Sequence, residues 1–177
     1  MMADHSLLAS TPYSSLAAYR AATGSDAVAR ARARSPAALL DEVAASGLRG
    51  RGGAGFPSGT KWKSIAKHPC AIRTVVCNAA EGEPGTFKDR WLLRRNPYAV
   101  IEGLLIAAHA VGARAAYLAV KASFAPEVAR LESVLAEMQA EAVLGEVPIT
   151  LVRGPEEYLF GEEKALLEVI EGNEPLE

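Results

Sequence analysis

The run from Gly50 to Lys61 contains the residue types that point most directly to chemistry. Five of its first ten residues are glycine. Glycine has a high entropic cost on folding, so a cluster is favoured where the chain needs positive φ angles or where backbone N–H groups closely approach a ligand. Successive N–H groups form a concavity that binds anions, and Lys61 adds a positive charge. The run therefore predicts a loop that binds a phosphorylated cofactor.

The dinucleotide fingerprint does not account for this loop. The pattern Gly50-x-Gly52-x-x-Gly55 has its spacing, but the fingerprint directly follows a strand. Here the preceding segment predicts a helix, because Ser35 is a suitable N-cap and Gly47 a suitable terminator.

A P-loop does not account for it either. That motif needs a serine or threonine after its lysine to hold magnesium, and Trp62 follows Lys61.

Two further polar clusters follow predicted strands, which we place at residues 72–77 and 149–152. The clusters comprise Asn78, Glu81 and Glu83 after the first strand, and Tyr158, Gly161, Glu162 and Glu163 after the second. Because ligands of α/β sheets bind at the carboxyl ends of strands, we expect cofactor contacts in these clusters. A solvated acidic turn is the alternative for the first cluster. Glutamates in the first turn of any helix are the alternative for the second.

Strands and helices alternate through most of the chain. Besides the two strands above, residues 115–120 form a continuous apolar run, as is typical of parallel strands covered on both faces. Helical spacing or terminal signals mark the segments 97–112, 126–145 and 161–172, and an alanine-rich helical lead covers residues 13–47. The pattern predicts an α/β fold in the order β-α-β-α-β-α with right-handed crossovers.

Together, the three clusters resemble the FMN-carrying, NADH-oxidising flavoprotein subunit of respiratory complex I, the fifty-one-kilodalton subunit, and the related diaphorase subunits of hydrogenases and formate dehydrogenases. The resemblance covers about residues 35–172. It is carried by the segments 47–57, 61–62, 77–79, 81–90, 161–163 and 165–166.

The resemblance implies a Rossmann-like, three-layer FMN-binding domain with a mostly parallel sheet, spanning residues 48–177 behind a helical N-terminal segment, 1–47. In such a module hydride passes from NADH to FMN, and electrons leave singly to iron–sulfur clusters in a partner subunit. The residues matching the family's FMN site are Gly50, Gly52, Gly53, Lys61, Asn78, Glu81, Tyr158, Gly161 and Glu162. Those matching the NADH side are Phe56, Glu163 and Glu83, with Glu83 as the catalytic carboxylate beside the nicotinamide.

Four residues depart from the family pattern within the expected site. Ala80 replaces an aspartate, Phe160 a cysteine, Lys164 a threonine and Ser64 an aromatic residue. These departures leave an alternative open, in which the fold is a non-catalytic scaffold that docks an iron–sulfur partner subunit.

Composition excludes several other classes of protein. The net charge of −2 gives no basic field for nucleic acid. The longest apolar stretch, 100–111, is interrupted by Glu102 and is too short for membrane insertion, so we expect a cytoplasmic module. Two cysteines cannot hold a four-iron cluster, so we expect no metal here. The resemblance places that cluster in a domain beyond Glu177, and residues 176–177 are either a cloning remnant or a natural end.

Overall fold

The computed structural model describes residues 9–51 and 54–176. Its eight α-helices, three strands and one 3-10 helix follow in chain order: α1 (Leu16–Thr23), α2 (Ala27–Arg32), α3 (Pro36–Ala45), α4 (Ser58–Lys67), β1 (Thr74–Ala79), α5 (Lys88–Arg95), α6 (Pro97–Val111), β2 (Ala115–Lys121), α7 (Ala125–Ala140), β3 (Ile149–Gly154), the 3-10 helix (Tyr158–Gly161) and α8 (Glu163–Ile170).

The three strands form one parallel sheet in the order β1-β2-β3. Thr74 pairs with Ala115 at the start of β1, and Ala116 pairs with Ile149 across the other edge of β2. The predicted α/β fold with alternating strands and helices is therefore confirmed. The predicted order of elements did not include α4 or α5. Helix α4 follows the glycine loop, residues 50–57, and α5 follows residues 80–87, which we call the acidic turn.

Helices cover both faces of the sheet and give it three layers. On one face Leu118 and Val120 of β2 pack with Ile101 of α6 and Leu131 of α7. On the other face Ala119 packs against the 3-10 helix and α8 in a second apolar cluster, with Phe160 and Leu166. The strand ends between these layers are where a site can form.

The N-terminal lead consists of three helices that are held to the core. Gly24, at φ 66°, ends α1 in the left-handed region. The hydroxyl of Tyr19 donates a hydrogen bond of 2.6 Å to the buried carboxylate of Glu102 on α6. The Tyr19 ring stacks on Tyr98, with 5.4 Å between centroids. Division of the chain into units at residue 47 stays a prediction.

Candidate functional site

Asn78 joins the acidic-turn cluster to the cluster that precedes α8. It lies in β1, just before the carboxyl end of the strand, and its Nδ2 donates a 2.7 Å hydrogen bond to the backbone oxygen of Gly161. Its Oδ1 accepts from the backbone N–H of Ala80 at 3.1 Å. Both ends of the amide are thus used to fix the two segments against each other.

Two glycines at this edge allow a close approach of backbone segments. A Cβ on Gly161 would lie 3.1 Å from the backbone oxygen of Ala80. A Cβ on Gly82 would lie 3.3 Å from Lys121 Nζ and 3.4 Å from Tyr158 Cδ2. These glycines therefore keep the acidic turn and the 3-10 helix in contact, and a side chain at either position would have to displace a neighbour.

The glycine loop is closed by backbone hydrogen bonds before α4 begins. The Gly50 N–H donates to the Phe56 oxygen, and the Ser58 N–H donates to the Leu48 oxygen, both at 2.9 Å. Gly55 takes a positive φ of 54°, and the Phe56 side chain is 55% exposed. Gly52 and Gly53, two of the predicted contact residues, lie outside the described residues.

Gly59 has a different role from the one that the glycine cluster suggests. It lies in α4, is buried, and a Cβ there would be only 2.4 Å from the Ala44 Cα of α3. This glycine is therefore explained by the packing of two helices. The interpretation of all five glycines as parts of a ligand loop was wrong at this position.

Lys61 connects the glycine-loop cluster to α8. Its Nζ lies 3.1 Å from Glu163 Oε2, in the first turn of that helix. Both side chains are exposed, so the pair contributes little to stability. The pair instead holds the Lys61 ammonium group at the edge of the sheet where Asn78 and Gly161 meet.

Glu81 lies under the acidic turn, and its carboxylate is bound by the protein itself. The residue is 8% exposed. Its Oε1 accepts from the Asp89 N–H and its Oε2 from Arg90 Nε, both at 3.2 Å. Burial opposes ionisation, but these donors outweigh it and hold the pKa of Glu81 below its ordinary value. The carboxylate anchors the acidic turn to the start of α5.

Glu83, in the acidic turn, and Tyr158, in the 3-10 helix, form an exposed hydrogen-bonded pair. The Tyr158 hydroxyl donates to Glu83 Oε2 at 3.3 Å. The negative charge of Glu83, followed by that hydrogen bond, raises the pKa of the Tyr158 phenol. Glu162 is exposed at the N-cap position of α8. Glu83, Glu162 and Glu163 thus present exposed carboxylates at this edge.

Direct contacts therefore bring together six of the predicted residues, one or more from each cluster: Lys61, Asn78, Glu83, Tyr158, Gly161 and Glu163. Gly50 and Phe56 lie in the loop that leads into α4. Sequence analysis missed Lys121, the last residue of β2, which reaches this edge. A charged residue at the end of an otherwise apolar strand was the available signal.

Two of the departures from the family pattern pack together. Ala80 and Phe160 are buried in the same apolar cluster. The Phe160 ring lies over Gly154, where a Cβ would be 2.1 Å from Cζ. A carboxylate at position 80 would enter this apolar cluster. Ser64 and Lys164 are exposed, on α4 and in the first turn of α8.

Comparison with known proteins identifies the family of this chain. The model of the family Complex1_51K, described as the Nuo51 FMN-binding domain, matches residues 43–176. The chain belongs to this family. The predicted resemblance, and FMN as the cofactor of the family, are thereby confirmed.

Relatives and solved structures support the same assignment. The chain is 39% identical over 166 residues to an NADH-quinone oxidoreductase subunit of Rhizobium meliloti, covering 89% of this chain and 39% of the relative. It is 42% identical over 146 residues to the mitochondrial NADH-ubiquinone oxidoreductase 51 kDa subunit of Neurospora crassa, covering 76% and 30%. A crystal structure of an NAD+-reducing NiFe hydrogenase in the air-oxidised state matches with a TM-score of 0.79 and 38% identity, covering 93% of this chain and 29% of that one. The chain thus spans well under half the length of these relatives.

Two classes of feature are absent from the described part of the chain. No helix within residues 9–51 and 54–176 is long and apolar enough to cross a membrane. The same residues contain no group of three or more His, Cys, Asp or Glu side chains placed to hold a metal ion.

Proposed function

We propose that this chain is the FMN-binding module of an NADH-oxidising flavoprotein subunit. The observation that carries the proposal is the meeting of three separate sequence clusters through the Lys61–Glu163, Asn78–Gly161 and Tyr158–Glu83 contacts. Ligands of α/β proteins bind at the carboxyl ends of the strands, which is the edge where these contacts lie. The names of the relatives support FMN and a nicotinamide nucleotide as its ligands.

The residues at this edge suit the chemical parts of FMN. Lys61 and N–H groups of the glycine loop other than that of Gly50, which is bonded to the Phe56 oxygen, would bind the phosphate, because an exposed cation and backbone donors suit a dianion. Gly82 and Gly161 let the acidic turn and the 3-10 helix approach closely, which brings Asn78 and Tyr158 to one edge. Asn78, Tyr158 and Gly161 would border the remainder of the cofactor, together with Gly50, Gly52, Gly53, Glu81 and Glu162.

The exposed residues suit a second ligand at the same edge. Phe56 offers an exposed aromatic face, which would stack on a planar ring. Glu83 and Glu163 offer carboxylates, with Glu83 held by the Tyr158 hydroxyl. In this proposal Glu83 is the catalytic carboxylate, where it favours the positively charged oxidised nicotinamide that forms as hydride leaves. Bound FMN supplies the redox chemistry, accepting hydride and releasing electrons singly.

The electrons would pass to iron–sulfur clusters of a partner subunit in a larger oxidoreductase complex. This proposal rests on the relatives, which are named as subunits of such enzymes. A cytoplasmic location and the assignment of residues 48–177 as the FMN and NADH unit belong to the same proposal.

Binding of FMN and of riboflavin by the purified chain tests the proposal. FMN should bind more tightly than riboflavin, because only FMN carries the phosphate. Replacing Lys61 with Met should weaken FMN binding about tenfold or more, since a charged hydrogen bond contributes about 1.5–3 kcal/mol, and should leave riboflavin unchanged. Lys67→Met is the matched control, because Lys67 is an exposed lysine at the far end of the same helix.

The outcomes separate clearly. Equal affinity for FMN and riboflavin, or equal effects of the two lysine variants, would contradict the role of Lys61. A chain that binds neither flavin would favour the alternative of a non-catalytic scaffold.

A further inference from the structure

Lys121 is a buried lysine at the carboxyl end of the central strand. It is the last residue of β2 and is 6% exposed. Its Nζ donates a 2.8 Å hydrogen bond to the backbone oxygen of Glu156, in the segment between β3 and the 3-10 helix. The same nitrogen lies 3.3 Å from the place that a Cβ on Gly82 would occupy. The ammonium group is therefore enclosed between the acidic turn and the segment that carries Tyr158.

The charge of Lys121 has no carboxylate partner within 4 Å among residues 9–51 and 54–176. The other buried charged residues described are Glu81, Glu102 and Glu127, and each is bound by a cation or by hydroxyl groups. Lys121 instead has one neutral carbonyl acceptor for its three N–H donors. A buried charge without a counter-ion is costly to a fold, so its presence requires an explanation.

The position of Lys121 supplies that explanation. Lys121 Nζ and the Tyr158 ring both lie next to the place that a Cβ on Gly82 would occupy. Tyr158, in turn, holds Glu83 at the edge where we place the flavin. Hydride transfer adds one proton and two electrons to a flavin, which makes the ring system more negative by one charge. A nearby positive charge in a poorly solvated position favours that reduced form.

We propose that Lys121 is an electrostatic tuning residue, whose buried and uncompensated positive charge stabilises reduced over oxidised flavin at this edge. The inference rests on the proposed function. In the protein without cofactor, the buried charge of Lys121 destabilises the fold, and bound flavin compensates for it.

The test compares three variants of the full chain. Lys121→Met removes the charge and keeps the length of the side chain, and Lys121→Arg keeps the charge. Lys67→Met is the matched control, because it removes an exposed lysine at the end of α4 that is far from the glycine loop.

The first measurement is urea unfolding without flavin. If the charge is uncompensated, Lys121→Met unfolds at the same urea concentration as the native chain or at a higher one. If the hydrogen bond from Lys121 to the Glu156 carbonyl oxygen stabilises the fold, Lys121→Met unfolds at a lower urea concentration, and the proposal is overturned. This comparison remains decisive if the native chain binds no FMN, a result that would refute the proposed function separately.

The second measurement is the midpoint potential of bound FMN by anaerobic spectroelectrochemistry. Lys121→Met should lose about tenfold in the preference for reduced over oxidised flavin, which is a shift of about 30 mV to more negative potential for a two-electron couple. Lys121→Arg and Lys67→Met should keep the native potential. An unchanged potential in Lys121→Met overturns the proposal. Loss of FMN binding in a Lys121→Met protein that is stable without flavin, while Lys67→Met still binds, would make Lys121 a flavin-binding residue and would also overturn the proposal.

Discussion

Replacing Glu163 with Gln should strengthen the binding of FMN while costing little stability. Glu163 Oε2 lies 3.1 Å from Lys61 Nζ, and the two side chains are 76% and 54% exposed. An exposed pair of this kind contributes about 0.2–1 kcal/mol. The phosphate of FMN has to compete with this carboxylate for Lys61 and also meets its negative charge. Removal of the charge should therefore lower the Kd for FMN.

The magnitude follows from the exposure of the pair. Relief of one solvent-screened contact contributes about 1 kcal/mol, which is about a fivefold gain in affinity for FMN. Riboflavin has no phosphate, so its affinity should not change. At 1 M salt the Debye length falls to about 3 Å, so most of the gain should be lost.

Fluorescence titration with each flavin, at low and high salt, measures these effects. Glu171→Gln is the matched control, because it removes an exposed glutamate at the other end of α8. Weaker FMN binding by Glu163→Gln would refute the reasoning, as would an equal gain for riboflavin or an equal gain from the control.

Three further predictions concern stability. Tyr19→Phe should cost about 1–3 kcal/mol, because the buried carboxylate of Glu102 loses a donor; chemical unfolding measures this loss. Gly59→Ala should cost about 1–3 kcal/mol through overpacking against Ala44, and the melting temperature should fall accordingly. The pKa of Glu81 is lowered on folding, so ionised Glu81 contributes its full stabilisation of the fold above the ordinary pKa of 4.5. This contribution declines as pH falls through the folded pKa. In Glu81→Gln this part of the acid dependence should disappear from pH-dependent unfolding curves.

Each stability prediction has an outcome that contradicts it. Unchanged stability in Tyr19→Phe would mean that the hydroxyl does not satisfy the buried carboxylate. Gly103→Ala is the control for Gly59→Ala, since a Cβ there meets nothing within 4 Å and alanine is favoured in helices. Equal melting temperatures for these two variants would refute the packing argument. An unaltered acid slope in Glu81→Gln would show that the Glu81 carboxylate does not contribute to acid sensitivity.

Local sequence signals predicted the strands and the polar clusters that follow them. The runs at 72–77 and 149–152 are short and β-branched, and the structure places β1 and β3 at or near them. Ile72 lies outside β1 and is 67% exposed. Hydrophobicity alone therefore does not show where strand pairing begins. Helices α4 and α5 were missed, because they are short and mostly polar and follow glycine- and proline-containing turns. In α4 the apolar residues Trp62 and Ala66, four positions apart, were an available signal, since they pack against the core.

Contacts between distant segments could not be predicted in the same way. The hydrogen bond from Asn78 to Gly161 joins residues 83 positions apart. It depends on the path of the chain from β3 back over the sheet, which no local pattern specifies. Gly59 and Lys121 show the same limit, because their burial is determined by α3 in one case and by the acidic turn in the other. The resemblance predicted that the three clusters belong to one site, and the structure shows which of their atoms meet.

Following the backbone amides by NMR, while FMN is added to the isotope-labelled chain, tests most directly whether the three clusters form one flavin site. If they do, saturable shifts occur in all three clusters, and Gly50, Asn78 and Gly161 report the same Kd. Shifts confined to one cluster, different Kd values among the three, or shifts elsewhere in the chain would contradict the claim that these segments form one flavin site.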